Sequence, residues 1–217
     1  GINTYFGATS VNAGTLSVTG TISSPVTVIS GGTLGGSGTI SNTVTVNSGG
    51  TLAPGTSPGI INTGNLTLTA GSTLTVEIDG TTVGTQYDQT NATGTVDLGG
   101  ATLNVVLGFV PSIGQAFTII NNDGADAVTG TFAGLAEGAI VTVGADTFRI
   151  SYVGGTGNDV TLTRVFAGPS ATGTGTISAS FTGGGPGCGF TVSQFIPLTG
   201  HAASPPAWIW AFVNRRR

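Results

Sequence analysis

Val26-Thr27-Val28-Ile29-Ser30-Gly31-Gly32-Thr33-Leu34 returns 18 residues later as Val44-Thr45-Val46-Asn47-Ser48-Gly49-Gly50-Thr51-Leu52, changed only at Ile29, which becomes Asn47. Near-identity at a fixed offset marks a repeat architecture and outranks local propensity. Inside the phrase, Val-Thr-Val alternates apolar and polar, as a strand with one buried face does. The Gly-Gly pair supplies a corner, because glycine takes positive φ without steric cost. Thr-Leu then opens a second strand with its leucine turned inward. A strand, a corner and a second strand within about 18 residues make one coil of a β-solenoid.

The phrase spreads in both directions from these two copies. Thr9–Leu16 is a shortened form, Leu66–Leu74 a fourth copy with leucines for valines, and Val96–Leu103 a weaker fifth. Its leucines fall at 16, 34, 52, 74 and 103, so the spacing runs 18, 18, 22 and 29 residues. The inward set predicted from this register is Val26, Val28, Leu34, Ile40, Val44, Val46, Leu52, Leu66, Leu68, Leu74, Val76 and Ile78. Coils stacked about 4.8 Å apart place like residues over like and pair every strand in parallel with its neighbours. Outward positions are mostly Thr, Ser and Asn, which suit strands and keep the surface wet. Gly35–Gly38 and Ala53–Gly59 are expected to be the second corners, with Pro54 and Pro58 there because proline cannot donate to a ladder.

Beyond residue 80 the pattern loosens. Thr81 to Gly94 reads as a polar loop containing Gln86, Tyr87 and Asp88. Residues 104–163 remain β-rich, with strands expected over Asn104–Val110, Ala116–Asn121, Ala139–Val143, Thr147–Val153 and Asp159–Thr163. Their denser aromatics (Phe109, Phe117, Phe132, Phe148, Tyr152) suit terminal coils that widen and close the core. At Arg164 the composition turns Gly/Ser/Thr-rich. Three stretches result: regular repeats over 1–80, irregular coils over 81–163, and a Gly/Pro-rich segment over 164–217.

Composition excludes several classes. Charged residues are 6 % of the chain, against roughly 25 % in ordinary soluble domains, yet Val, Ile and Leu are too plentiful for a disordered chain. There is no lysine, and the net charge is -4, which argues against nucleic acid, whose affinity rests on Lys/Arg–phosphate contacts. The single cysteine, Cys188, allows neither an internal disulfide nor a cysteine-based zinc site. Ala207–Val213 is far shorter than the roughly 20 residues a membrane helix needs. Methionine is missing even at position 1, as expected of a chain that starts inside a longer precursor or after processing, and no signal peptide is visible.

The repeats resemble the passenger-associated strand repeats of bacterial autotransporters and related filamentous, haemagglutinin-like surface proteins. The residues that carry this are Val11–Leu16, the two Ser-Gly-Gly-Thr-Leu copies, Leu52–Gly59 (Leu-Ala-Pro-Gly-Thr-Ser-Pro-Gly), Ile120–Gly138 and Gly154–Thr163 (Gly-Gly-Thr-Gly-Asn-Asp-Val-Thr-Leu-Thr). The resemblance covers about residues 3–163. It implies an all-β, right-handed parallel β-helix that is exported and sits on a bacterial cell surface or is released; it fixes no ligand. Residues 174–192 resemble the region before C-terminal anchor signals of some bacterial surface proteins. Trp208–Val213 followed by three arginines looks like the remnant of such an anchor.

Candidate chemistry is sparse. Glu77 and Asp79 stand two apart and so share the outward face of a strand; paired carboxylates run glycoside hydrolysis when one has a raised pKa. Isolated acidic pairs are also ordinary solvated surface, and a β-helix lyase would want basic residues, of which the body of the chain has only Arg149 and Arg164. No catalytic residue is assigned. Gly154–Asp159 matches the start of the calcium-binding nonapeptide, but Thr161 stands where a large apolar residue is due and no tandem copy follows. Calcium in such rolls is shared between turns, so Asp159 would need Asp123 and Asp126 beside it. These three are the weak metal candidates, calcium is the one ion considered, and no cofactor is assigned. Otherwise they belong to glycine turns in which Asn and Asp tolerate the left-handed conformation. His201 and Cys188 are a nucleophile–base pair only in principle. Asn65-Leu-Thr67 and Asn91-Ala-Thr93 are glycosylation sequons by pattern alone.

The expectation is a non-catalytic extracellular β-solenoid serving as a stalk, adhesin scaffold or fibre subunit. A carbohydrate- or host-ligand-binding adhesin module is the alternative, although aromatics are scarce in residues 7–80 and no sugar-stacking face is legible there. A polysaccharide-degrading enzyme ranks third. End-to-end contact with other copies is expected because the first repeat starts within about ten residues of position 1, with no lysine and no proline before Pro25 to blunt its edge. The donor expected is the Gly-rich stretch 168–196 of another copy, with Phe181, Cys188 and Phe190 as its assembly residues. Such a heterologous contact propagates as a filament.

Overall fold

Thr and Val alternate over three to six residues at a time, and each short run becomes a strand. The structure, a computed structural model, describes residues 1–3, 5 and 7–166, within the unit Gly1–Gly168. Among these residues there are nineteen strands and no helix. They are β1 (Ile2–Asn3), β2 (Thr9–Val11), β3 (Gly14–Ser17), β4 (Thr21–Ile22), β5 (Val26–Val28), β6 (Gly32–Gly36), β7 (Thr39–Ile40), β8 (Val44–Val46), β9 (Thr51–Pro54) and β10 (Ile60–Thr63). There follow β11 (Leu66–Leu68), β12 (Thr73–Ile78), β13 (Gln89–Ala92), β14 (Val96–Asp97), β15 (Thr102–Leu107), β16 (Ala116–Asn122), β17 (Ile140–Val143), β18 (Asp146–Gly154) and β19 (Asp159–Val165).

Three sheets hold them. The first has the order β1-β4-β7-β10-β13-β16-β19-β18-β17, the second β14-β11-β8-β5-β2, and the third β15-β12-β9-β6-β3. The chain therefore visits first, second and third sheet in turn, five times over. Every pairing up to β16 is parallel.

The inward columns follow the sequence register. In the second sheet Val26 pairs with Val44, Val44 with Leu66 and Leu66 with Val96, while Val28 pairs with Val46. In the third sheet the column is Leu16, Leu34, Leu52, Leu74 and Leu103. All twelve predicted inward residues are buried, none more than 1 % exposed. Each such side chain contributes roughly 1.5–3 kcal/mol by leaving water.

The Gly-Gly corners divide their labour. The first glycine takes the left-handed conformation, with φ of 84° at Gly31 and 77° at Gly49. The second gives clearance: a Cβ on Gly32 would stand 2.2 Å from the Val11 carbonyl oxygen. At Gly31 and Gly32 a side chain therefore opposes the turn for different reasons, backbone conformation at the first and contact at the second.

Three sequence expectations need correction. Gly35, Gly36 and Pro54 do not lie in a corner: they are the paired ends of β6 and β9, with Gly36 opposite Pro54. Proline fits there because a strand end asks for no further amide donor. Residues 81–94 are a loop only in their first part, since Gln89–Ala92 is β13, paired in parallel with β10; its polar sequence hides a strand whose Gln89 and Thr90 are buried. The third concerns the end of the stack. Parallel pairing stops at β16, and β19, β18 and β17 follow as antiparallel neighbours.

This antiparallel part carries the aromatics. Phe117 meets Tyr87, Phe109 and Phe148 edge to face, with ring centroids 5.3, 6.1 and 6.3 Å apart. Residues 129–133 run along the edge of the second sheet, where Thr129 exchanges hydrogen bonds with Val96 and Leu98 and the Ala133 N–H bonds Ala101. The Tyr152 hydroxyl ties this segment down by donating to the Leu135 carbonyl (2.7 Å) and accepting from the Phe132 N–H (3.1 Å).

Candidate functional site

Of the two carboxylates paired in the sequence, Glu77 lies on β12 and Asp79 just past its end. The fold brings in a third carboxyl, that of Asp88. Two hydrogen bonds join Glu77 and Asp88: the Asp88 N–H donates to the Glu77 carbonyl (2.9 Å) and the Glu77 N–H donates to the side-chain Oδ2 of Asp88 (2.8 Å). Asp88 Oδ1 accepts from the Gly59 N–H at 2.7 Å. One carboxylate thus joins the return from loop 81–88 to β12 and to the corner before β10.

Asp88 is 2 % exposed. Burial pushes its carboxyl up to about 6, the two N–H donors from Glu77 and Gly59 pull the other way, and the charges of Glu77 and Asp79 add to the rise. A carboxyl poised near 6 is what acid–base chemistry uses. Here both its oxygens are engaged by the main chain inside the fold, so the group acts as a clamp. Glu77 Oε2 is buried without a hydrogen-bond partner.

The sequence reading passed over Asp88 as part of a polar loop. The signal was its distance from Gly59, 29 residues, which equals the Leu74–Leu103 spacing and so stacks one on the other. Spacings of 29 and 30 residues mark a second feature missed from sequence. Asn62, Asn91 and Asn121 are direct register partners on the outer face of the first sheet. The Asn91 amide donates to Asn62 Oδ1 (3.0 Å), and the Asn121 amide donates to Asn91 Oδ1 (3.2 Å). Side-chain amides bonded strand to strand in this way reinforce a parallel stack.

On the third sheet the outer column is Thr15, Thr33, Thr51, Thr73 and Thr102. On the second it is Ser10, Thr27, Thr45, Thr67 and Asp97. Strand spacing sets successive hydroxyls about 4.8 Å apart. Both columns are neutral until Asp97.

The nonapeptide-like turn forms a knot of side chains. Asp159 Oδ1 accepts from the Asn122 N–H (2.9 Å) and Oδ2 from the Thr156 N–H (3.0 Å). The Asn158 amide donates to the carbonyls of Gly124 (2.7 Å) and Asp126 (3.1 Å). The fold does bring the 123–126 loop to this turn, but through main-chain carbonyls: Asp123 and Asp126 are exposed. Among the described residues no three His, Cys, Asp or Glu side chains gather as a metal would require. Arg164 pairs with Asp146 at 2.5 Å. Cys188, Phe181, Phe190 and His201 lie outside the described residues. No helix among the described residues is long and apolar enough to cross a membrane. Comparison with protein-family models and with curated proteins finds no match.

Proposed function

We propose that this chain is a non-catalytic structural module of an exported bacterial surface protein, a right-handed parallel β-helix serving as a stalk, adhesin scaffold or fibre subunit. The observation that carries the reading is the continuity of the columns. Five strands of the third sheet keep leucine inward and threonine outward at every level. Such a stack gains stability by adding identical levels, which suits a spacer that holds something at a distance. The outer hydroxyl and amide columns keep it wet without charge.

Contact with other copies belongs to this reading. Among the described residues, β2 and β3 are paired on one side only, and an uncovered edge of this kind is a template for another strand. Electron microscopy and sedimentation of the purified chain at micromolar concentration test the proposal. Short rods that lengthen with concentration are expected. A persistent monomer refutes self-assembly, and cleavage of a polysaccharide that is lost on Glu77→Gln substitution refutes the structural reading.

A further inference from the structure

The stack ends on a step. Its sixth level has a strand in the first sheet, β16, and a strand-like segment in the second, residues 129–133 bonded along Val96–Ala101. The third sheet has no sixth strand: among the described residues, β15 is paired on one side only, with β12. β17 comes near β15, but no hydrogen bond joins the two.

The chemistry of β15 matches an unfilled position. The Thr102 N–H donates to Ser72 and the Gly108 N–H to Ile78, both on the β12 side. In a parallel ladder alternate residues turn both their N–H and C=O to the same neighbour, so residues 102, 104, 106 and 108 face β12. Leu103, Val105 and Leu107 therefore turn theirs to the open side. Their side chains point inward but are only half-buried, unlike Leu74, Val76 and Ile78 one level below, which have no exposed surface. Val106 on the outer face is 45 % exposed. Thr-Leu-Asn-Val-Val-Leu contains no lysine, proline or charge, the devices that natural edges use to refuse a partner.

We infer that this step is a docking site for one extended peptide strand of about six residues, uncharged, with apolar side chains at alternate positions. Such a strand would add to the third sheet by main-chain hydrogen bonds to Leu103, Val105 and Leu107 and lay its apolar side chains over theirs, the β-augmentation mode of recognition. The depth of the step favours a single strand over a second copy of the molecule, because a whole stack meeting β15 would collide with the sixth level that β16 and residues 129–133 already occupy.

The test uses the full chain and the peptide acetyl-Thr-Leu-Thr-Val-Thr-Ile-amide, patterned on β12. Hydrogen exchange is read at the amides of Leu103, Val105 and Leu107 with and without peptide. In the free chain they should exchange faster than those of Thr102 and Asn104, and peptide should slow them by about tenfold or more in a saturable way. Val105→Pro removes an N–H from the open side while leaving the β12 ladder its donors, and should abolish peptide binding; Val106→Thr should retain it. Three results would overturn the proposal: amides already protected in the monomer, no slowing by peptide, or protection that appears only as sedimentation shows dimers forming. If Val105→Pro does not fold, the exchange measurement on the unaltered chain decides.

Discussion

Leu34 and Leu52 are direct partners in adjacent parallel strands of the third sheet, and neither has any solvent-exposed surface. Each therefore forms part of the other's surroundings, and a truncation at one level is felt at the next. Leu52→Ala should lower stability by about 2–5 kcal/mol, the range for a buried leucine that leaves a cavity. Thr45→Ser on the outer face should change it by less than about 0.5 kcal/mol. Urea unfolding midpoints of the two variants check this; equal midpoints would mean that the inward and outward faces are reversed.

Gly49 and Gly14 separate two costs of adding a methyl group. Both have positive φ, 77° and 68°. A Cβ on Gly49 would also stand 2.5 Å from Ser30 Oγ, whereas one on Gly14 meets nothing within 4 Å. Gly14→Ala should cost about 1–2 kcal/mol from the backbone alone. Gly49→Ala should cost more, and Ser30→Ala should recover part of the difference; chemical denaturation of the three variants and the Gly49/Ser30 double variant measures it.

Asp88 makes stability depend on pH in an unusual direction for a carboxyl. Its folded value lies near 6, above the ordinary 3.8, so the native state holds the proton more tightly than the unfolded chain. The associated stability is fully present below about 3.8 and is lost as pH rises through about 6. Asp88→Asn should flatten the profile between these limits. Denaturation midpoints taken from pH 4 to pH 7 check it, and a wild-type profile that rises over that window as far as Asp88 contributes would contradict the assignment.

Asn91 is the centre of the amide ladder, donating to Asn62 and accepting from Asn121. Asn91→Ala should cost about 1–2 kcal/mol for the two bonds lost. Amide exchange should quicken in β10 and β16 on either side of the substitution, while β5 and β8 on the second sheet stay as protected as before.

Tyr152→Phe should loosen the end of the stack without touching its middle. Removing the hydroxyl leaves the buried Phe132 N–H and the Leu135 carbonyl without their partner, a loss of about 1–3 kcal/mol. Faster proteolysis within residues 127–139, with the repeats up to residue 80 still intact, is the expected readout.

How far the fold is legible in the sequence depends on which residues hold it together. Val28 over Val46 could be read directly, because a repeated phrase at a fixed offset places the same side chain at the same point of each level, and every strand finds its partner one repeat away. The core columns and the polar outer faces follow from that alone. Nothing comparable relates Phe117 to Phe148, Asn122 to Asp159 or Phe132 to Tyr152. These contacts follow no repeat offset and tie loops and strands, not all of them neighbours, together around the antiparallel end, so composition suggested a closing region but did not show its pairing. Asp88 lay between the two cases: its polar surroundings suggested a loop, and only the stacking of Gly59 against it in three dimensions turned a surface-type residue into a buried clamp. The repeated phrase is enough to imply the parallel stack, since like neighbours satisfy one another's backbone and side chains locally. Where the stack stops is visible only in three dimensions, because its closure depends on contacts that no periodicity records.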